Sequence, residues 1–314
     1  MKKKSMLAHA CEYIQHKIAL GHPFQSSGTV IRSFGKYADK NAAGKPLTVD
    51  LVLSWVFSSA VSKPTQALKL SAVRGFAKYM LIRDSRTQLI PKGIIGYCRY
   101  RPEAYIFSKE ETVKLMSTAS CPQKRVLTNR TMSTIIGLLA CTGMRVGEVL
   151  RLQQNDIDWR QKIIVVRASK KKSMRLIPLD SSVIKQLKKY EQCRNMFYPD
   201  YDAYFFITSQ GCPLARDTFG RYWRNLFDET KIMNNNNGRP RAYDFRHTFA
   251  CNHLLQAYQN NENINVAVDL LSVYLGHANP EETYWYLTGI PELMRLCSNR
   301  LDYHLSKFNF HNQK

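Results

Sequence analysis

Apolar residues recur at helical spacing through most of this chain. Leu7, Cys11, Ile14 and Ile18 fall on one face, as do Val73, Phe76, Ala77, Met80 and Leu81, and that period predicts amphipathic helices packed on a core. Between them Thr48 is placed to cap a helix from Val49 towards Ala60, which Lys63-Pro64 is expected to stop. Residues 1–98 therefore predict a small helical bundle. From Leu89-Ile90-Pro91-Lys92-Gly93 to Pro102 the chain is rich in Gly, Tyr and Arg without helical period. A linker is expected near residue 100, over residues 99–107.

A second domain is expected over residues 108–314. Ser108-Lys109-Glu110-Glu111 fits a capping box opening a helix. An apolar helix follows over Thr134 to Ala140, breaks at Gly143 and restarts over Val146 to Leu152, with Arg145 at the junction. The period then changes. Lys162 to Arg167 and Met174 to Leu179 are β-rich runs around a polar turn from Ser169 to Ser173, which predicts one hairpin. Helices are expected over Ser181 to Cys193, Arg216 to Phe227, Phe245 to Tyr258, Val266 to Tyr274 and Glu292 to Leu305, and a mobile loop over Asn234 to Gly238. The fold class is thus mainly α, with a small antiparallel β-sheet in the second domain. No internal repeat is found.

Composition adds a partner class. The chain of 314 residues has 46 Lys and Arg against 24 Asp and Glu, a net charge of +22. A polyanion is the expected partner, with RNA, DNA and an anionic membrane open on charge alone. Residues 1–100 are the more basic part, with sixteen Lys and Arg against four Asp and Glu. The eight cysteines lie scattered without a C-x-x-C pair or a His-rich cluster, so neither a zinc site nor a disulfide framework is expected. Met1-Lys2-Lys3-Lys4 is not followed by an unbroken apolar core, and no run reaches the roughly 18 apolar residues of a membrane span. No membrane partner and a reducing, cytoplasmic location are expected.

Candidate chemistry lies in four places. Metal-free cleavage of a phosphodiester needs a nucleophile, fixed cations for the phosphate oxygens and an acid for the leaving oxygen. Arg145 and Arg246 suit the cationic role, because a planar guanidinium grips phosphate through two N–H groups and keeps its charge. Glu148, three residues after Arg145, shares its helical face and can orient it. Arg145 lies in Thr142-Gly143-Met144-Arg145-Val146-Gly147-Glu148, and Arg246 in Tyr243-Asp244-Phe245-Arg246-His247-Thr248-Phe249-Ala250. Leu275-Gly276-His277 is followed nine residues after its histidine by Tyr286.

Together these segments resemble the tyrosine recombinase (phage integrase) family, from about Ser108 to Gly289; the first hundred residues resemble it in architecture only. The resemblance implies a helical, SAM-like core-binding domain and a catalytic domain of the DNA breaking-rejoining fold, clamped on opposite faces of a double-stranded DNA. It implies Tyr286 as the nucleophile, with Tyr284 in reserve, and Arg145, Arg246 and His277 on the scissile phosphate. Glu148 and His247 would support the site. Lys170 in the hairpin would protonate the leaving oxygen, with Lys172 in reserve. One position departs from the pattern: Tyr243 stands where the family usually has histidine, and a phenol is no imidazole base near neutral pH. A water, His277 or Tyr243 itself is left to assist Tyr286.

The implied reaction is strand transfer through a 3′-phosphotyrosine, without ATP, metal or cofactor. It would run in a homotetramer on paired sites, with accessory recombination proteins open and the protein nucleoid-associated when on DNA. A simple Xer-like or transposon-type layout without an arm-binding domain is expected. The helix from Glu292 is expected to dock on a neighbouring protomer. A type IB topoisomerase and a DNA-binding regulator with a disabled site are the alternative readings.

Overall fold

Helices α1 (Met6–Ala19), α2 (Gln25–Asn41), α3 (Val49–Phe57) and α4 (Lys63–Leu81) form the first of two compact units, Met1–Pro102 and Glu103–Lys314. The computed structural model describes residues 4–22, 24–96, 104–121, 125–167, 174–201, 203–233, 239–277, 279, 281–286, 295 and 298. Ile14, Ile31, Phe34, Val52, Trp55, Val73 and Phe76 meet in the core of the first unit. The Asp39 carboxylate of α2 accepts from the Met6 and Leu7 amides at 2.7 and 3.0 Å, satisfying first-turn donors of α1 that have no intrahelical partner.

Two expected features differ in the structure, and one helix has no counterpart in the sequence pattern. Lys63-Pro64 does not stop the third helix, which already ends at Phe57; it opens α4, where proline costs nothing because first-turn amides are unpaired in any case. The buried face of α1 is Ala10, Tyr13 and Ile14, while Ile18 is 55% exposed. Helix α2 was not set out as an element. Its polar start and two glycines dilute the periodicity, and Gly35 is there for contact: a Cβ on it would stand 2.9 Å from Leu7 Cα.

The second unit begins with α5 (Lys109–Ala119), closed by the Ser108/Glu111 capping box. Helix α6 (Val126–Thr142) is longer than its apolar stretch and stops at Gly143, which takes φ +60°. Only one turn, α7 (Val146–Val149), follows; the chain then leaves the α-helix for a 3₁₀ turn over Gln154–Asp156. The strands β1 (Ile157–Asp158), β2 (Ile163–Val166) and β3 (Arg175–Pro178) form an antiparallel sheet in that order. The two-residue β1 is too short to show a period. Register pairs Val166 with Arg175 and Ile164 with Ile177.

Helices α8 (Ser181–Phe197), α9 (Arg216–Thr230), α10 (Asp244–Gln259), α11 (Ile264–Leu275) and the single turn α12 (Glu281–Tyr284) complete the described chain. The expected loop at Asn234 to Gly238 and the hairpin tip from Ser169 to Ser173 lie outside the described residues. So does the helix expected over Glu292 to Leu305, apart from Arg295 and Ser298. The main core gathers Leu115, Ile135, Leu139, Phe205, Phe206, Trp223 and Phe245. A second cluster packs Ala250, Leu254, Val268, Leu271 and Leu275 against Tyr286. Among the described residues no helix is long and apolar enough to cross a membrane.

Gly143 is held twice over. Its φ is left-handed, and a Cβ would stand 2.7 Å from the Phe249 ring of α10. Gly143→Ala is therefore expected to cost roughly 1–3 kcal/mol of stability through strain and overpacking, read as a lower urea midpoint at unchanged slope. Gly44→Ala, at φ +71° with nothing within 4 Å, is the control and is expected to lose less. Equal midpoints for the two variants would show that the Phe249 contact carries no cost.

Candidate active site

Left-handed Gly143 turns the chain out of α6 so that Arg145 stands at the N-terminus of α7. Glu148 reaches back one turn: its carboxylate accepts from the Arg145 amide at 2.9 Å and from Arg145 Nη1 at 3.0 Å. A second guanidinium completes the group. Arg175 of β3 donates to both oxygens of the same carboxylate, at 3.0 and 2.6 Å. Burial alone would raise the Glu148 carboxyl; hydrogen bonds and charge from Arg175, then Arg145, outweigh it and hold it at about 2. Glu148 is thus ionised throughout the neutral range.

Arg246 lies in the first turn of α10 and is 1% exposed. Its Nη1 donates to the Gly143 carbonyl at 3.1 Å and its Nη2 to the Leu275 carbonyl at 2.6 Å. These carbonyls stand at the C-terminal ends of α6 and α11, where backbone oxygens lack helical partners and the helix dipole is negative. Helix ends supply the counter-charge in place of a carboxylate. Burial, then the nearby charge of Arg145, pull the Arg246 guanidinium below its ordinary value. Arg246 Nε, though buried, meets no acceptor among the described residues. Two cations crowded in this way favour an entering anion.

Gly276 ends α11 at φ +67° and delivers His277 to the same point. Arg246 Nη2 stands 2.9 Å from His277 Nε2. A guanidinium has only donors, so Nε2 accepts, and the ring proton sits on Nδ1, 2.7 Å from Thr283 Oγ1. Thr283, fully buried in α12, thereby fixes the ring. Tyr286 follows at 3% exposure. Its ring packs with His247 at 4.9 Å and stacks with His277 at 5.8 Å. Burial, then Tyr243, push this phenol up and Arg246 offsets part of the rise, leaving it at about 12.

Of the residues proposed from sequence, Arg145, Glu148, Tyr243, Arg246, His247, His277 and Tyr286 converge on one place. His247 stands between the Tyr243 and Tyr286 rings. Tyr284 is 43% exposed and is in no described ring contact with this group. Lys170 and Lys172 lie outside the described residues. Arg175 and Thr283 were missed as site residues. Arg175 had a signal: two places before buried Ile177 on β3, it faces the same side of the sheet.

A model of the phage integrase family matches residues 106–289. The chain belongs to that family, the tyrosine recombinases. A putative integrase/recombinase, y4rB, of Sinorhizobium fredii is 30% identical to this recombinase over 299 residues, 93% of this chain and 95% of its own. Tyrosine recombinase XerC of Bacillus subtilis is 28% identical over 257 residues, 78% of this chain and 77% of its own. Among solved structures, Tn1549 transposon integrase in complex with circular intermediate DNA shares the fold at a TM-score of 0.67, with 16% identity over 95% of this chain and all of that one. XerH bound to palindromic difH substrate gives a TM-score of 0.65 and 18% identity over 90% and 80%. The mainly α class with a small antiparallel sheet is the class observed. As a tyrosine recombinase, the protein is a site-specific recombinase enzyme.

Proposed function

We propose that this recombinase cuts and rejoins double-stranded DNA with Tyr286 as the nucleophile and a 3′-phosphotyrosine as the intermediate. The observation that carries the reading is the convergence of two guanidiniums, one imidazole and one buried phenol from four separate elements. Arg145 and Arg246 bind the non-bridging oxygens of the scissile phosphate and offset the charge that builds as the phosphorus becomes five-coordinate. Tyr286 first loses its phenolic proton to solvent, and the phenolate oxygen bonds to phosphorus as the bond to the 5′-oxygen breaks. A hairpin lysine, Lys170 or Lys172, gives the leaving oxygen its proton. A 5′-hydroxyl from a second strand then reverses the step, so one phosphodiester replaces another and no external energy source is needed. Paired exchanges call for a homotetramer on two sites, and the basic first unit is assigned salt-dependent phosphate contacts.

The test is a nicked suicide duplex drawn from the ends of the DNA element that carries the gene. A covalent, denaturant-resistant adduct whose tryptic peptide carries the nucleotide on Tyr286 supports the reading. Binding without an adduct would favour a regulator, and relaxation of plasmids lacking such ends would favour a topoisomerase.

The elevated Tyr286 phenol sets the pH response. With ionisation near 12, only about one site in 10³ to 10⁵ carries phenolate between pH 9 and 7. Single-turnover cleavage at saturating DNA is accordingly expected to rise by about tenfold per pH unit over that range and to fall as pH drops. Tyr243→His brings an imidazole that ionises near ~6.5 and is expected to flatten the profile above neutrality. A flat wild-type profile would mean that deprotonation of Tyr286 does not limit attack.

A further inference from the structure

We infer that Arg175 is a positioning residue for the scissile phosphate, acting through Glu148 on Arg145; this rests on the phosphate-binding role given to Arg145 above. The Glu148 carboxylate takes four donors: the Arg145 amide, Arg145 Nη1, and Nη1 and Nη2 of Arg175. An ionised carboxylate offers about four lone-pair sites, so Glu148 is saturated and its orientation fixed. The shortest of the four bonds, at 2.6 Å, belongs to Arg175, and its side chain is only 14% exposed.

Arg175 also passes close to the other side of the site. A Cβ on Gly276 would stand 3.1 Å from Arg175 Nη1 and 3.2 Å from its Cδ, while the Gly276 carbonyl is 3.4 Å from Arg145 Nη2. Arg175, Glu148, Arg145 and Gly276 thus close a ring of contacts joining β3, α7 and the cap of α11, one residue before His277.

The charges give this ring its function. One carboxylate faces two guanidiniums, and the two-pronged grip of Arg175 engages both of its oxygens. Arg145 keeps a surplus of positive charge for an incoming phosphate. With Arg175 gone, Glu148 has Arg145 as its remaining ionic partner, and the carboxylate competes with the phosphate for that guanidinium. Binding of the whole duplex, spread over many phosphates, is little changed; the loss falls on the chemical step.

The experiment compares single-turnover cleavage by wild type, Arg175→Gln and Arg175→Lys on two duplexes that yield the adduct. One carries the natural scissile phosphodiester, the other a methylphosphonate, in which a methyl group replaces a non-bridging oxygen and removes the charge that Arg145 offsets. Arg175→Gln is expected to slow diester cleavage by about 10²-fold with duplex affinity unchanged, and to slow methylphosphonate cleavage far less. Arg175→Lys, which keeps the charge without the fork, is expected to fall between and serves if the glutamine variant does not fold. Equal losses on both duplexes, or an unslowed diester, overturn the inference. Restoration instead by sulfur at the leaving 5′ position would place the action of Arg175 on the leaving group and overturn it as well. A wild-type protein that forms no adduct on the diester overturns the reading of the site itself, which separates the two failures.

Discussion

Tyr286→Phe is expected to abolish the covalent adduct, a loss of at least about 10⁴-fold in cleavage rate, in line with removal of a nucleophile elsewhere. Only one oxygen is removed. The ring contacts with His247 and His277 and the burial of Tyr286 among α10 and α11 remain. Stability should therefore change by no more than about 1 kcal/mol, the net worth of an ordinary hydrogen bond, so thermal unfolding separates lost chemistry from lost fold. Tyr284→Phe, at an exposed position, is expected to cleave at close to the wild-type rate. An adduct that survives in Tyr286→Phe and vanishes in Tyr284→Phe would move the nucleophile by two residues.

The second large effect is expected at Arg246. Arg246→Lys keeps a cation but cannot span the Gly143 and Leu275 carbonyls and the His277 ring together. Cleavage is expected to fall by about 10³-fold, the upper range for deleting one donor to a developing oxyanion. Arg246→Gln should lose at least as much activity. Its stability is the sharper test, because two opposing costs meet there. Loss of the guanidinium strands two carbonyls, at about 1–3 kcal/mol each. It also removes a buried charge that has no carboxylate partner among the described residues and that burial and Arg145 both disfavour. The two nearly cancel, so the unfolding free energy of Arg246→Gln, read by urea titration, should lie within about 2 kcal/mol of wild type. A collapse of the fold in that variant would show Arg246 to be chiefly a structural strut.

Motif spacing carried the site further than periodicity carried the fold. The segments that hold Arg145, Arg246, His277 and Tyr286 were legible because they match the tyrosine recombinase pattern; none of the four residues taken alone declares a role, and it is the fold that brings them together. Strand alternation could place Arg175 on the inward side of β3 but could not name its partner, since Glu148 lies 27 residues away. Thr283 was hidden for the same reason; only the fold brings it to His277 Nδ1. In the first unit, α2 escaped because Gly28 and Gly35 interrupt its apolar face, and they do so for close packing that has no trace in a hydrophobic period. Lys63-Pro64 was misassigned because proline marks a helix start as readily as a stop. Direction there depends on where Phe57 ends α3, which is a matter of tertiary packing.

The grip on Arg246 is made by main-chain oxygens at two glycine-capped helix ends. Substitutions along α6 and α11 that preserve those ends leave the same two acceptors in place, because every residue type carries the same carbonyl. The anchor is in that sense indifferent to sequence drift, whereas the tie of Arg145 to Glu148 can be severed by a single codon change. Relatives that diverge widely in their side chains can keep this half of the cradle at no cost in covariation, provided the left-handed turns persist.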